Sequence, residues 1–405
     1  MNSPIAASRS LARSQPGILF FALMLGHMSQ GLTFTAYIAA LPQLAHALGA
    51  NGELIAQMSI AIAALGTMTG ALASGWVLEK AGTRTTMLVF LVVYGIAGTG
   101  GYVLRDPVTL LGSRFLVGFA CACMVTACVW GIAAEYTGDR RARALGASAA
   151  LGSFTSLAST LLGGYLTEHA GWPNAFLQYP VFAVYGLVMV SMGLRQAKPE
   201  LTTANQVQQP FFARMLPFYA LASLISTVMF MGSTQFAFLL EEDGITNAGT
   251  RSLIMSGITI VSTLTSFGYG PIQQRLGALG AFVLSLACIS AGLTSIGAGI
   301  DPSYAVLGAG FMGLYVGIVM PYIHHVVTER TDEFARSRAL GVLNAFNFLG
   351  AFLNPLIFAP LAKQFGLRNV FLGTAVVMLV LCIGTAVNLL RNRGSAAQEA
   401  EALSH

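Results

Sequence analysis

The chain has 405 residues, of which 55% are hydrophobic and 9% are charged, and its mean hydropathy is +0.70. Soluble domains carry about 25% charged residues, so this composition excludes most soluble folds. The polar surface that a soluble protein would show is replaced by apolar surface, which indicates a protein that faces a lipid bilayer. The 45 glycines are typical of helices that pack closely inside a membrane.

Stretches of about 20 apolar residues predict membrane-spanning helices. Twelve such stretches follow one another along the chain: Gly17–Leu41, Leu54–Leu78, Thr86–Leu104, Val108–Ala134, Ala144–Leu166, Ala175–Leu194, Met215–Leu240, Leu253–Ile272, Ala278–Ile300, Tyr304–Val327, Ala339–Leu361 and Val370–Leu390. Their connections are short, which excludes a soluble catalytic or nucleotide-binding domain. The first stretch is longer than a signal-peptide core, so we predict that it is an uncleaved helix.

Lysine and arginine are unevenly distributed among the predicted loops. With a cytoplasmic N-terminus, the outer segments hold Arg105, Arg251, Lys363 and Arg368, and every other Lys and Arg except Arg114 lies in an inner segment. Cytoplasmic loops of membrane proteins are enriched in these residues. We therefore predict a multi-pass protein of the inner (plasma) membrane with both termini in the cytoplasm. The basic residues form no clustered face, so we expect no nucleic-acid partner.

The chain resembles itself at an offset of 195 residues. The segment RARALG at 141–146 recurs as RSRALG at 336–341, and Gly75 and Gly82 recur as Gly270 and Gly277. These matches predict two six-helix halves of the same orientation, at residues 1–194 and 215–390. A cytoplasmic linker, 195–214, joins the halves, and a tail at 391–405 is predicted to be disordered. Two such halves are typical of transporters that hold substrate near the membrane midplane and expose it to each side in turn.

Several motifs resemble those of the major facilitator superfamily. The residues after the second span match its loop signature at Gly75, Glu79, Lys80, Gly82 and Arg84, with Glu79 where the family usually has Asp. Arg114 with Gly118 resembles its second motif, and Gly163-Gly164 followed by Gly171-Trp172 resembles the fifth span of its 12-span drug-proton antiporter branch, although Thr160 stands where that branch has Pro. The resemblance implies an all-α membrane protein with 12 transmembrane helices in two six-helix pseudo-repeats. It also implies a cytoplasmic gate in which the loop motif closes against the start of the eleventh span, near Ala339.

Arg114 is the only full charge inside a predicted span, and no Asp or Glu lies at the centre of any span. Because intramembrane charges carry a large desolvation cost, such a residue is a candidate for function. One interpretation is that Arg114 binds an anionic group or senses protons through its neighbours. The other is that it bonds to backbone carbonyls and only fixes helix packing.

The first span carries a stripe of polar and aromatic residues at helical spacing: His27, Gln30, Phe34 and Tyr37. A stripe of this kind suits the wall of a substrate cavity. Because imidazoles titrate near neutral pH, His27 is a candidate for proton coupling. The alternative is an imidazole that is satisfied by a neighbouring helix, and Glu135, near the end of the fourth span, is another candidate proton carrier.

Amides of the second half provide further candidate cavity residues. Gln235 lies in the seventh span, and Asn344 and Asn347 share one face of the eleventh. Such amides can contact substrate, and they can equally form hydrogen bonds between helices.

No metal-ligating, cofactor-binding or catalytic motif occurs, so we expect a carrier with no metal or cofactor that uses an ion gradient. The function we expect is proton-coupled efflux of a small amphipathic organic compound, such as a drug, metabolite or siderophore, by a monomer in the bilayer. Two alternatives stay open: an importer of a small organic anion held by Arg114, and a membrane sensor that does not transport.

Overall fold

The computed structural model describes residues 16–104, 106–194, 196, 210–299, 301–331 and 333–402, and within these it describes side chains outside 16, 210–214, 333–338 and 392–402. The helices of the first half are α1 (Pro16–Thr35), α2 (Leu41–Leu48), α3 (Gly52–Ala81), α4 (Thr83–Val103), α5 (Pro107–Glu135), α6 (Gly138–Ala170) and α7 (Gln178–Gly193). Short 3-10 turns, Ile38–Ala40 and Trp172–Leu177, precede α2 and α7.

The second half repeats this pattern, and its seventh span is divided. Its helices are α8 (Pro210–Met229), α9 (Met231–Thr234), α10 (Phe236–Glu242), α11 (Ala248–Phe267), α12 (Tyr269–Ala298), α13 (Pro302–Glu329), α14 (Glu333–Phe365) and α15 (Leu367–Ala402). The single helix predicted over Met215–Leu240 is therefore wrong in detail, because the chain breaks at Phe230 and again at Gln235.

Eleven helical segments among the described residues are long and apolar enough to cross a membrane. The predicted eighth span is not one of them, although it forms the 20-residue helix α11. Arg251 and a series of Ser and Thr residues lower the hydropathy of α11. A span that is this polar needs neighbouring helices to satisfy its side chains.

The backbone preserves the 195-residue repeat at its tightest turns. Left-handed glycines occur in pairs at that spacing: Gly49 (φ 80°) with Gly244 (φ 85°), Gly82 (φ 74°) with Gly277 (φ 76°), and Gly171 (φ 89°) with Gly366 (φ 83°). Only glycine adopts such angles without strain. Asp106 and Asp301, also at that spacing, each cap the helix that follows. The Ser303 amide donates to Asp301 at 2.8 Å and so lowers the pKa of that carboxyl.

Packing divides the chain into two compact units. The first unit comprises Met1–Glu241, Thr246–Leu253 and Gly341–Leu356, and the second comprises Glu242–Ile245, Ile254–Leu340 and Ile357–His405. The first unit thus contains the first seven predicted spans and parts of the eighth and eleventh. The domain boundaries 1–194 and 215–390 stay a prediction, since they rest on the sequence repeat rather than on packing.

Direct backbone contact between α3 and α5 forms a central part of the first unit. A Cβ on Gly66 would lie 2.1 Å from the Phe115 carbonyl oxygen, and one on Gly118 would lie 1.9 Å from that of Ala63. Glycine is therefore required on both helices. This contact explains structurally why Gly118 accompanies Arg114 in the predicted motif.

The two ends of the second half differ from the sequence expectation. Most of the predicted linker, residue 195 and residues 197–209, lies outside the described residues, and α8 begins at Pro210 within the predicted 195–214. The tail predicted to be disordered from 391 is helical as far as Ala402. Its run of Ala, Gln and Glu consists of strong helix formers, which accounts for the difference.

Candidate functional site

His27, Gln30 and Phe34 lie on one face of α1, as predicted from their spacing. His27 Nδ1 is 2.8 Å from the Ser148 hydroxyl of α6. Glycine at position 152 permits the close approach of the two helices. A Cβ there would lie only 2.8 Å from the His27 carbonyl oxygen. Gln30 is half-buried and makes no side-chain hydrogen bond to any described residue.

Phe34 belongs to a cluster of three half-buried rings. Its ring stacks on Phe348 of α14 with centroids 5.8 Å apart and an interplanar angle of 18°. It meets Phe230, at the break between α8 and α9, nearly edge-on at 6.0 Å. Neither Phe348 nor Phe230 was identified from the sequence, since each lies more than 190 residues from Phe34 and in an apolar run.

Tyr37 does not share this face, and the predicted continuous stripe is wrong beyond Phe34. α1 ends at Thr35, because the Ala36 carbonyl accepts a hydrogen bond from Gln178 at 3.0 Å instead of extending the helix. Tyr37 turns inward, is fully buried and stacks on Phe176 with centroids 4.6 Å apart. Its hydroxyl accepts a hydrogen bond from Ser59 at 3.1 Å.

Arg114 is 1% exposed and is held by backbone carbonyls rather than by a carboxylate. Its Nη2 donates to the Ala97 and Gly98 oxygens at 2.7 and 2.8 Å. The guanidinium carbon lies 4.9 to 5.8 Å from the ring centroids of Tyr37, Phe176 and Tyr179. No ion pair involves Arg114 among the described residues. This arrangement fits the packing interpretation, because carbonyl dipoles and aromatic faces together stabilise the buried cation.

Gln235 lies in a fully buried network of amides. Its Nε2 donates to Gln57 Oε1 at 3.2 Å and to Asn354 Oδ1 at 2.9 Å, and Asn354 in turn donates to the Thr227 carbonyl at 2.7 Å. Thr234 donates to the same Asn354 oxygen at 2.6 Å. In this conformation, the Gln235 amide links helices instead of facing a cavity. Gln57 is a member that the sequence did not reveal.

Asn344 and Asn347 have different environments. The Asn344 side chain is exposed and makes no hydrogen bond to a described residue. Asn347 is half-buried, and its backbone carbonyl accepts from Ser226 at 2.6 Å. Asn344 precedes Phe348 by four residues, as Gln30 precedes Phe34, so each free amide lies one turn from a stacked ring.

The loop motif forms a tight turn at Gly82. Gly82 has the left-handed conformation, and there is open space around Gly75. Lys80 lies 4.1 Å from the Trp76 ring centroid, and Arg84 donates to the Ser191 carbonyl at 3.2 Å. Among the described residues no ion pair joins Arg84 to Glu79. The gating role stays a prediction.

A second buried arginine lies at the predicted outer end of the first unit. The sequence placed Arg251 in a loop, but it lies in the first turn of α11 with its side chain fully buried. Its Nη1 is 3.1 Å from Glu241 of α10, and the other Glu241 oxygen is 3.4 Å from His46 of α2, which is 77% exposed. His46 and Glu241 are 195 residues apart and so occupy equivalent positions in the two predicted halves.

Comparison with known proteins points to one superfamily. A family model described as Major Facilitator Superfamily matches residues 23–300 and 246–403. The chain is 25% identical over 270 residues to multidrug resistance protein MdtL of Vibrio parahaemolyticus. The aligned region covers 62% of this chain and 66% of MdtL. It is 21% identical over 384 residues to a multi-drug resistance efflux pump PmrA homolog of Lactococcus lactis. This aligned region covers 91% of this chain and 94% of that protein. The crystal structure of nucleoside transporter NupG has a similar fold, with a TM-score of 0.71 and 16% identity over 91% of this chain and 98% of NupG.

Proposed function

Because the chain belongs to the Major Facilitator Superfamily and is a multi-pass membrane transporter, we propose that it exports a small amphipathic organic compound in exchange for protons. The membrane is the inner membrane, and both termini lie in the cytoplasm. The names of the MdtL and PmrA relatives support drug efflux as the direction of transport.

The observation that carries the proposal is the face of α1. It combines an imidazole, a free amide and a half-buried ring on a helix that contains no Asp, Glu, Lys or Arg. Such a face binds the polar and apolar parts of an amphipathic solute together. His27 carries the imidazole of this face, and imidazoles are the side chains that most often carry protons in proteins, so it is the group we assign to proton coupling.

The alternative of an importer that holds an organic anion on Arg114 has less support. Arg114 is 1% exposed, and its Nη2 is already bonded to two carbonyls. Its Nη1 has no hydrogen-bond partner among the described residues but is buried, so an anion would have to pass the surrounding rings to reach it.

Everted membrane vesicles that are acidified inside test the function. A fluorescent pH dye is monitored while erythromycin, chloramphenicol or ethidium is added. We expect at least one compound to release protons from the vesicles, and we expect His27→Ala to abolish this release while binding of that compound persists. His169→Ala, an exposed histidine at the end of α6, is the matched control. If no compound moves protons through the unmodified protein, proton-coupled efflux is wrong; if His27→Ala behaves like the control, the coupling residue lies elsewhere and Glu135→Gln is the next variant.

A further inference from the structure

Two helices of the first unit carry the same two-residue pattern. An amide is followed four residues later by phenylalanine, as Gln30 and Phe34 on α1 and as Asn344 and Phe348 on α14. Residues four apart share a helix face and are about 6 Å apart along the axis. The first and eleventh spans run in the same direction in the predicted topology, so both amides lie on the same side of the stacked rings.

The rings of the cluster are only partly covered by the described residues. Phe34, Phe230 and Phe348 are all half-buried, so part of each ring remains uncovered. They already combine one stacked and one edge-on contact, at 5.8 and 6.0 Å. Aromatic rings favour these two geometries, and a further flat ring can extend the cluster in either way.

The amides beside the rings differ from the structural amides of the same unit. Gln57, Gln235 and Asn354 are fully buried, and Gln235 donates hydrogen bonds to the other two. Gln30 and Asn344 make no side-chain hydrogen bond to a described residue, and Asn344 is exposed. Two free amides provide donors and acceptors for a ligand without requiring any existing bond to break.

The charge of the two faces limits the ligand further. α1 contains no Asp or Glu, and residues 339–362 of α14 contain none either. A cationic ligand would lose its hydration here without gaining a carboxylate. Carbonyl, hydroxyl and amide groups match the free amides without that cost.

We propose that Phe34, Phe230 and Phe348, with Gln30 and Asn344, bind a flat aromatic compound whose hydrogen-bonding groups are uncharged. The ring of the ligand packs against the phenylalanine cluster, and its polar edge bonds to the two amides. This proposal deepens the proposed function and rests on it, since the ligand is the exported compound.

Equilibrium binding to the purified full-length protein tests the site. Lumiflavin, a flat and neutral tricyclic compound with carbonyl groups, is the probe, and proflavine, a flat tricyclic cation, is the comparison. We expect lumiflavin fluorescence to be quenched on binding, and we expect proflavine to bind at least about tenfold more weakly. Phe34→Leu and Phe348→Leu each remove a ring with little change in volume and should weaken lumiflavin binding about fivefold to tenfold. Gln30→Leu combined with Asn344→Leu should weaken it about tenfold.

Controls separate loss of the site from loss of the fold. Phe346→Leu is the matched control, because Phe346 lies on α14 but stacks on Tyr219, with centroids 5.5 Å apart, outside the cluster. Phe34→Trp retains a ring and should retain lumiflavin binding. If Phe34 only filled space in the helix packing, the larger Trp side chain would be expected to weaken binding as well. The proposed site would be wrong if Phe34→Leu and Phe346→Leu bound lumiflavin equally well. It would also be wrong if the unmodified protein bound proflavine as tightly as lumiflavin.

The outcome for the site and the outcome for the function can be distinguished. If a pH gradient drives erythromycin, which is not aromatic, while lumiflavin binding is insensitive to Phe34→Leu and Phe348→Leu, transport stands and the aromatic site is wrong. If lumiflavin binds with the expected pattern while no compound is driven by a pH gradient, the site stands and proton-coupled efflux is wrong.

Discussion

Among the described residues of the first unit, two arginines are buried, and their charges have different partners. Arg114 lies among three aromatic rings and donates to two helix carbonyls. Arg251 is paired with a carboxylate, Glu241, that is 25% exposed. Neutral dipoles hold Arg114 without a second charge to bury, whereas Arg251 depends on one partner that reaches solvent. A buried arginine is thus evidence of function only after its partners are known.

The largest effect should follow from removing the partner of Arg251. We expect Glu241→Leu to lower the free energy of unfolding by about 3 kcal/mol, because it leaves a buried charge without compensation. The double variant Glu241→Leu/Arg251→Leu should recover most of this loss, since it removes both charges. Thermal unfolding of the purified variants measures both values. A double variant as unstable as the single one would show that packing, rather than charge, is lost.

Arg114→Met should lower the free energy of unfolding by less, about 2 kcal/mol. The hydrogen bonds that are lost join a cation to neutral carbonyls, so their loss leaves no buried charge behind. Arg114→Lys should be intermediate, since an ammonium retains the charge but not the planar contact with the rings. The same unfolding measurement applies. A variant of normal stability that selectively loses transport of anionic compounds would restore Arg114 as an anion-binding residue.

Arg368 in the second unit extends the comparison to a partly exposed arginine. It donates to Asp243 and, at 2.6 Å, to the Gly299 carbonyl, and it is 35% exposed. Solvent screens such a pair, so Arg368→Leu should cost about 1 kcal/mol. The loss should shrink in high salt, as measured by unfolding in 0.1 and 1 M sodium chloride. An effect that is insensitive to salt would instead point to the carbonyl bond.

The smallest effect should come from His46, at the exposed end of the Glu241 cluster. Its Nε2 lies 3.4 Å from a Glu241 oxygen, and its side chain is 77% exposed, so solvent screens the attraction between them. His46→Ala should therefore lower the free energy of unfolding by under about 0.5 kcal/mol, and by less in high salt. Comparing the unfolding temperatures of this variant and the unmodified protein in 0.1 and 1 M sodium chloride checks this. An equal loss at both salt concentrations would contradict an electrostatic role.

The sequence predicted the features that depend on local pattern. Low charge and apolar runs predicted the all-α membrane fold, and the repeat paired Gly82 with Gly277, which have nearly identical φ angles. The spacing of His27, Gln30 and Phe34 predicted one helix face, because 3.6-residue periodicity is a local property.

Features that depend on distant contacts could not be predicted in this way. The turn at Tyr37 arises because Gln178, far along the chain, takes the Ala36 carbonyl. The link between Gln57 and Gln235 joins residues from different halves of the chain. Arg251 was assigned to a loop because a charge in an apolar segment normally marks its end, and the pairing that buries it is visible only in three dimensions.

The pairing of Arg251 with Glu241 has a consequence for how the protein is made. α11 is not among the described helices that are long and apolar enough to cross a membrane, and Arg251 adds to the free energy of its insertion into the bilayer. Its carboxylate partner lies ten residues upstream, so during synthesis Glu241 leaves the ribosome first and is already present when α11 reaches the membrane. A reporter of α11 insertion should therefore show efficient integration when the preceding span is included, and less when Glu241 is replaced by Leu. We therefore expect the ion pair to assist the insertion of α11 as well as to stabilise the folded protein.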